Sequence, residues 1–483
     1  QDPGLSHGIV AADVDNDGDL DYFNGNTDTP NRLYIWDGST FVDQSSDRGI
    51  DQVNGGTRGV VAFDADGDGD LDLYAANWGS ENEFYRNDGT GHFAREDVGA
   101  NDPEGNDYGT QGVTATDFDD DGDVDLYVVM RGTTNRLFVN DGTGHFTRGE
   151  ADAGIDRSAA KGNGATFADI DNDGDLDLVL AESHESSGQT VYLRVYRNNG
   201  DGTFTDETDQ HKIEHDGYSV LAADMDNDGD LDLVLASTGK VPRLLLNDGT
   251  GHFHENADTG LSRVLSDPRG IAAADYDGDG DLDFYVAVKD GDNLLARNDL
   301  NNDNHWLDVL VMGPEGDWGG VGAKVYVYEA GFLNDLDHLL GFREVQAAFG
   351  YLGENDLVQH FGLKSNESVD VAVEFLDGSS TTVTGVAADQ RLVVRPPCGV
   401  LGDVNGDSLA NSTDALIILS CDVGIDVSQY CPMNCGDVNG DGSVNSTDAL
   451  IILSYDVGIE VPYDVGQPGC PSDVQPCLGC GGN

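Results

Sequence analysis

Nine residues repeated six times set the architecture of this chain. Asp13-Val14-Asp15-Asn16-Asp17-Gly18-Asp19-Leu20-Asp21 recurs at residues 64–72, 117–125, 169–177, 224–232 and 275–283, with starts 51, 53, 52, 55 and 51 residues apart. An apolar stretch such as Gly59-Val60-Val61-Ala62-Phe63 precedes each copy, and alternating apolar residues such as Leu126-Tyr127-Val128-Val129-Met130 follow it. A second short strand pattern comes next, Asn135-Arg136-Leu137-Phe138-Val139. The turn Asn140-Asp141-Gly142-Thr143-Gly144 and then His145-Phe146-Thr147 close the period. Each period thus predicts four short strands joined by tight glycine turns. A four-stranded unit of about 50 residues repeated radially is a β-propeller blade.

The loops carry a specific chemistry. Ca²⁺ takes about six to eight hard oxygens, and alternate Asp residues place carboxylates on one side of a turn that glycine allows to bend sharply. In the first loop Asp13, Asp15, Asp17 and Asp21 are the expected side-chain ligands, with the carbonyl of Asp19 as a fifth. The same positions hold Asp64, Asp66, Asp68, Asp70 and Asp72, then Asp117, Asp119, Asp121, Asp123 and Asp125. They continue as Asp169, Asp171, Asp173, Asp175 and Asp177, as Asp224, Asp226, Asp228, Asp230 and Asp232, and as Asp275, Asp277, Asp279, Asp281 and Asp283. Like charges at ~4 Å cost about 4 kcal/mol per pair at an effective dielectric of 20, so a loop with no counter-ion is a poor folded state. A solvated acidic turn is the plainer reading of one copy; six at constant spacing weigh against it.

The repeats resemble FG-GAP/VCBS repeats, the calcium-loop blades of integrin α-chains and many secreted bacterial proteins. The resemblance covers residues 1–303 and implies a propeller. That family usually has seven blades, whereas six loops are counted here.

Residues 304–395 lose the Asp loops. Trp306-Leu307-Asp308-Val309-Leu310-Val311, Ala323-Lys324-Val325-Tyr326-Val327-Tyr328 and Val369-Asp370-Val371-Ala372-Val373-Glu374-Phe375 alternate as strands with one buried face, predicting a small antiparallel β-sandwich. This region resembles the ASPIC/UnbV domain through His305-Trp306-Leu307, Gly320-Val321-Gly322-Ala323, Gly350-Tyr351-Leu352, Asn355-Asp356, His360-Phe361-Gly362-Leu363 and Ala388-Asp389-Gln390. The resemblance brings no catalytic residues.

Residues 396–463 hold a second repeat. Of the 26 positions that align 402–427 with 436–461, 5 differ and 21 are identical. Oxygen donors fall at EF-hand-like spacing: Asp403, Asn405, Asp407, Asn411 and Asp414, and again Asp437, Asn439, Asp441, Asn445 and Asp448, with Leu409 and Ser443 at the backbone-carbonyl position. A helix is expected after each loop, seeded by Ala415-Leu416-Ile417-Ile418-Leu419 and Ala449-Leu450-Ile451-Ile452-Leu453. Four consecutive apolar residues cover more than one helical face and ask for a second surface beyond the partner helix. The duplicated loop–helix resembles a type I dockerin, the Ca²⁺-dependent plug for cohesin domains. Ser412-Thr413 and Ser446-Thr447 match its usual contact pairs. Ser408 stands where a bend glycine is expected, and residues 396–483 contain no Lys, Arg or His, the basic residues such helices commonly offer. Arg395-Pro396-Pro397-Cys398 makes a stiff joint in place of a flexible linker.

All seven cysteines, Cys398, Cys421, Cys431, Cys435, Cys470, Cys477 and Cys480, lie in this last part, the final three within a Pro/Cys-rich tail at 464–483. They read as disulfides of an oxidising compartment with one left over; a zinc site from Cys431, Cys435, Cys477 and Cys480 is the alternative, though its spacing matches no ribbon. Sequons stand at Asn366, Asn411 and Asn445, the last two read first as loop ligands. No Gly-x-Ser-x-Gly, His-Glu-x-x-His or phosphate-binding glycine loop occurs. His92, His145 and His252 recur before Phe in the blade turn and read as structural, while His184 and Glu185 sit in an irregular insertion that could hold a ligand.

The chain has 91 Asp and Glu against 24 Lys and Arg, a net charge of -67. Such a field repels phosphate, which excludes nucleic acid and anionic membrane surfaces as partners. No apolar run approaches 18 residues, and Gln1 in place of Met reads as a processed end. The expectation is a mainly β, secreted, non-enzymatic protein with about eight Ca²⁺ sites. It would be a subunit of a surface layer or fibre, docking through its C-terminal module onto a neighbouring copy or a cohesin. The alternative is a dockerin-borne polysaccharide-binding protein or lyase, with a glycan partner and with Trp36 and Trp78 as groove aromatics.

Overall fold

The computed structural model describes residues 6–50, 56–101, 109–156, 161–183, 190–300, 302–313, 320–347, 356–396, 404, 410–422, 438, 444–456 and 465. The chain divides into two compact units. One comprises residues 1–311, 317–378 and 382–394, the other 312–316, 379–381 and 395–483.

In the first unit, each Asp loop joins the first and second strands of an antiparallel sheet. The strand Thr57–Phe63 leads into the second loop, Asp72–Asn77 leaves it, and Glu83–Asn87 and Phe93–Glu96 complete the blade in sequence order. Five such sheets have four strands. The sixth has three, Pro268–Ala274, Asp283–Val288 and Leu294–Ala296. The expected mainly β propeller is the fold found, and among the described residues no seventh sheet of this kind occurs.

First strands of consecutive blades pack on one another in succession, from Ser6–Ala12 to Pro268–Ala274. A glycine in the first strand allows it: a Cβ on Gly8 would lie 2.7 Å from the Arg58 carbonyl, and one on Gly59 would lie 3.1 Å from the Gly112 Cα. Blade faces are sealed by large apolar side chains. Phe63, Phe84, Tyr74 and Tyr85 are fully buried between the first blades, and Leu233, Val195 and Ala181 between later ones. At about 25 cal/mol per Å² of apolar surface removed from water, these inter-blade clusters are the main stabilising term.

The middle region forms two sheets. One orders Gln359–Lys364, His305–Val311 and Gln390–Val394; the other orders Leu339–Glu344, Lys324–Glu329, Ser368–Glu374 and Ser380–Ala387. Val309, Val325, Val371 and Leu363 fill the space between them with no exposure. The sandwich departs from the all-antiparallel expectation, because His305–Val311 and Gln390–Val394 run parallel, in register from Leu307↔Gln390 to Val311↔Val394. Strands over 80 residues apart can pair either way, and the alternation of side chains is the same in both.

The second unit holds helices Ser412–Asp422 and Ser446–Asp456, which pack together through Ala415, Ile418, Ala449 and Ile452, all 0% exposed. Asn411 and Asp414 close the first helix reciprocally. Asn411 Oδ1 accepts from the Thr413 N–H at 2.8 Å, and Asp414 Oδ2 accepts from the Asn411 N–H at 2.8 Å. Asn445 and Asp448 repeat the arrangement at 2.8 and 3.0 Å. No helix among the described residues is long and apolar enough to cross a membrane.

Candidate metal centres

Each propeller loop is wound around its own first Asp. Asp13 accepts the N–H groups of Asp17 and Gly18 at 3.2 and 2.8 Å, and Asp224 those of Asp228 and Gly229 at 3.1 and 2.8 Å. Two positions of the loop lie in the left-handed region, for example Asn16 and Gly18 at φ 58° and 90°. The glycine was legible as a bend residue; the Asn, Gly or Asp two places before it was not.

The last Asp of each loop is buried and ties the loop to the third strand of its blade. Asp72 Oδ1 accepts from the Asn87 N–H at 2.7 Å, Asp125 from Asn140 at 2.7 Å and Asp232 from Asn247 at 2.8 Å. The fourth Asp of the motif, at position seven, uses its side chain elsewhere in three of the loops. Asp70, Asp230 and Asp281 accept from Asn16, Asn172 and Asn227 of the preceding blade at 2.7, 2.7 and 3.1 Å. That leaves the backbone carbonyl as the donor at this position.

The remaining carboxylates converge. Oxygens of Asp13, Asp15 and Asp17 lie within 4.8 Å of one another, as do those of Asp64, Asp66 and Asp68. In the third, fourth and fifth loops the converging sets are Asp117, Asp119 and Asp125, then Asp169, Asp171 and Asp177, then Asp224, Asp226 and Asp232. Burial, with repulsion from neighbouring Asp residues, pushes Asp125, Asp177 and Asp232 up to about 9 and Asp21 and Asp72 up to about 7, against backbone hydrogen bonds that act the other way. A group of oxygens that would take protons at neutral pH in the absence of a cation can hold a metal ion there.

A basic side chain stands against every loop. Arg48 bonds Asp15 at 2.7 Å, Arg86 reaches Asp66 and Asp72 at 3.1 and 2.7 Å, Arg197 pairs with Asp171 and Asp177, and Arg297 meets Asp277 at 2.8 Å. In the third and fifth blades the position of Arg86 is taken by Val139 and Leu246. There the sandwich supplies the cation: Lys324 Nζ donates to Asp117 at 2.8 Å and also bonds Asp120, and Lys364 lies 3.5 Å from Asp230.

The sandwich holds the fifth loop most closely. The Gly362 N–H donates to Asp224 Oδ2 at 2.8 Å, His360 Nε2 meets Asn227 Oδ1 at 2.7 Å, and His360 Nδ1 meets Asp308 at 3.0 Å. Burial alone would raise Asp308, but His360 and Arg391 hold its carboxyl below the usual range. Between sandwich and loops lies a cavity of about 100 Å³ lined by Asp224, Asp308, Arg343, Glu344 and His360. Burial pushes Glu344 up to about 8 while Thr116 Oγ1 donates to it at 2.7 Å. The motif His360-Phe361-Gly362-Leu363 is thus a docking edge.

A second set of residues is also absent from the sequence reading. The Asn that opens the turn of the second to sixth blades crosses to the preceding blade. Asn87 Nδ2 donates to the Val14 carbonyl at 2.9 Å, Asn140 to Ala65 at 2.8 Å, Asn198 to Phe118 at 2.9 Å, Asn247 to Ile170 at 2.7 Å and Asn298 to Met225 at 2.9 Å. Its recurrence in Asn-Asp-Gly was the available signal.

A family model described as FG-GAP-like repeat matches residues 13–75, 64–128, 117–180, 169–235 and 224–286, each match running from one loop through the next. The chain belongs to the FG-GAP-like repeat family. A model for ASPIC and UnbV matches residues 313–399, and one for the dockerin type I domain matches 401–455, in the expected order. FG-GAP repeats and dockerins generally bind calcium. Among curated relatives, cartilage acidic protein 1 of Homo sapiens is 26% identical over 434 residues, covering 81% of this chain and 63% of the relative. The Mus musculus protein of the same name is 26% identical over 462 residues, covering 85% and 66%. The chain therefore spans just under two thirds of the length of these relatives. Similar solved structures are distant. The Dos1 propeller has TM-score 0.38 at 10% identity over 81% of this chain and 79% of that one, and Saccharomyces cerevisiae Sqt1 has 0.39 at 10% over 80% and 97%.

Of the F-hand ligands, Asn411, Asp414, Asn445 and Asp448 are placed as described above. Asp403, Asn405, Asp407, Leu409, Asp437, Asn439, Asp441 and Ser443 lie outside the described residues, as do His184, Glu185 and every cysteine side chain. His92 and His252 stand exposed in the blade turn, each ring Nδ1 3.0 Å from a Thr hydroxyl two residues earlier.

Proposed function

We propose that this chain is an extracellular, calcium-loaded interaction protein without catalytic activity, docking through its C-terminal module onto a protein partner. In this reading the propeller spans 1–303, the sandwich 304–395, the dockerin-like module 396–463 and the tail 464–483. Calcium sits in the six Asp loops, held by the Asp carboxylates at loop positions one, three, five and nine and the carbonyl of the Asp at position seven, and in the two F-hands. The partner is a cohesin-like domain or a second copy of this chain in a surface layer or fibre.

One observation carries the docking reading. The two helices bury Ala415, Ile418, Ala449 and Ile452 but leave Leu416 and Leu450 63% and 64% exposed, each on a turn with an exposed Ser-Thr pair, Ser412-Thr413 and Ser446-Thr447. A large aliphatic side chain exposed at the same place in both repeats is a contact surface in waiting. Family resemblance and the name of the relatives support an extracellular setting. The polysaccharide reading draws less support, because Trp36 stands beside the first loop, its N–H bonded to Asp21 at 2.8 Å, while Trp78 stands at the other end of its blade, its N–H on the Gly56 carbonyl.

The test is association with and without Ca²⁺, by light scattering for self-assembly and by titration with a type I cohesin. Ca²⁺-dependent association that Leu416→Glu with Leu450→Glu abolishes is the expected result. Undiminished association in that variant would sink the docking reading.

A further inference from the structure

The fourth blade ends differently from the others. Between its last strand, Phe204–Asp206, and the first strand of the fifth blade, Gly217–Ala223, stands the short helix Thr208–His211, the one helix of the propeller among the described residues. The chain leaves it through Lys212 at φ 49°, a left-handed position where glycine is usual. It then runs back along its own blade. The Leu193 N–H donates to the Ile213 carbonyl at 2.9 Å, and the His215 N–H to the Val191 carbonyl at 3.0 Å. The spacing of 55 residues between the fourth and fifth loops, the longest of the five, includes this added edge.

Between that edge and the third and fourth strands of the fifth blade, Arg243–Asn247 and Phe253–Asn256, lies a groove of about 500 Å³. Its floor is apolar: Ile213 and Leu245 are 6% and 3% exposed, and Phe253 packs half-buried against the same cluster. Its rim is basic. Lys212 and Lys240 are exposed and make no ion pair among the described residues, whereas Lys324 and Lys364 of the sandwich lie against loop carboxylates. Arg243 completes the rim, bonded to Glu255 at 2.8 Å and to the Glu214 carbonyl at 2.7 Å. Three cations thus stand with two carboxylates, Glu214 and Glu255, in a chain where 91 acids outnumber 24 bases. The reversal of sign is felt nearby: burial lowers the His215 pKa to about 3, and the charges of Arg243 and Lys240 act in the same direction.

We propose that this groove docks an acidic peptide segment of a partner protein, its carboxylates toward Lys212 and Lys240 and an apolar side chain on Ile213, Leu245 and Phe253. Charge and floor together select that occupant. A chain at -67 repels acidic ligands, and a local reversal of sign is what lets one approach. An anion with no apolar part would leave the floor in water, whereas an apolar side chain laid there removes both surfaces from it. The groove shares no residue with the metal loops or the C-terminal module, so it stands or falls independently of the docking reading.

The experiment is calorimetric titration of the calcium-loaded full chain with a synthetic peptide of glutamates around one leucine. The controls are the same peptide with alanine in place of leucine, and trigalacturonate. Saturable binding of the leucine peptide with Kd below about 1 mM is expected, with both controls at least about tenfold weaker. Lys212→Glu combined with Lys240→Glu should weaken the leucine peptide by about tenfold or more, with Lys240→Gln deciding the matter if the double variant does not fold. The proposal is overturned if the leucine peptide does not bind saturably, or if the folded variants bind it as the parent does. It is equally overturned if the alanine peptide matches it, which makes the floor irrelevant, or if trigalacturonate does, which makes the groove a site for anionic sugar.

Discussion

Lys324 of the sandwich donates from Nζ to Asp117 Oδ2 in the third propeller loop at 2.8 Å, across 207 residues of chain. The side chains are 11% and 1% exposed, so the pair is largely dry. Burial by itself would lower the lysine pKa; Asp117 and Asp120 outweigh that and raise it. The third blade has Val139 where the second has Arg86, and the lysine fills that gap from outside the propeller.

Breaking such a pair costs about 3–5 kcal/mol when the remaining charge stays buried and unpaired. In Lys324→Met that cost should appear in full only without calcium, because a bound ion supplies the missing positive charge. Thermal unfolding of both proteins in chelator and in Ca²⁺ measures it. A larger drop in chelator than in Ca²⁺ is expected, and equal drops would show that lysine and metal do not act on the same carboxylates.

Calcium removal should also make stability depend on pH in a particular direction. Asp125, Asp177 and Asp232 have folded-state values near 9 against 3.8 ordinarily. A raised folded-state pKa means the native state binds more protons, so the contribution is fully present below about pH 4 and is lost as pH rises towards 9. Metal-free protein should therefore melt progressively lower between pH 5 and 9. Saturating Ca²⁺, worth about 2.7 kcal/mol per site at 100 times Kd, should flatten that slope and restore the melting temperature. A metal-free slope of opposite sign, or melting indifferent to chelator, would remove the loops as metal centres.

What could be read from the chain and what could not divide by distance. The Asp loops, the blade period and the paired helices are local patterns, and local periodicity reports them directly. Asn87 and Val14, or Lys324 and Asp117, are partners only because the blades and the sandwich bring them together; the recurrence of Asn before Asp-Gly marks a position without naming the carbonyl it meets. The parallel pairing of His305–Val311 with Gln390–Val394 is invisible for the same reason.

Gly362 reports on the docking edge. A Cβ there would fall well inside contact distance of the Asn227 backbone and the Asp224 carboxylate. Both are fixed, so the strand Gln359–Lys364 would have to withdraw from the fifth loop and give up the Gly362 N–H bond to Asp224. Overpacking of this kind costs about 1–3 kcal/mol. Gly362→Ala should lower the melting temperature and speed proteolysis between residues 297 and 304, where the propeller passes into the sandwich. Native-like cleavage rates would mean that the loop can yield and that the contact is not tight.

The inter-blade Asn residues should be worth more than their place in a turn implies. Asn140 Nδ2 donates both to the Ala65 carbonyl of the second loop at 2.8 Å and to the Val124 carbonyl of its own at 3.0 Å. Its side chain is the bolt between two adjacent loops, and the residue is 5% exposed. Asn140→Ala leaves two buried carbonyls without that donor, at about 1–3 kcal/mol for each group left unsatisfied. Ala65 and Val124 sit inside the second and third loops, so loosening them should weaken calcium at both. Asn140→Asp is the sharper variant. It keeps the size and loses the donor, and it adds a charge facing two carbonyl oxygens, so it should destabilise more than Ala does. Calcium titration followed by thermal unfolding separates the outcomes. If Asn140→Ala shifts neither the melting temperature nor the calcium dependence, the bond between blades is not what positions the loops.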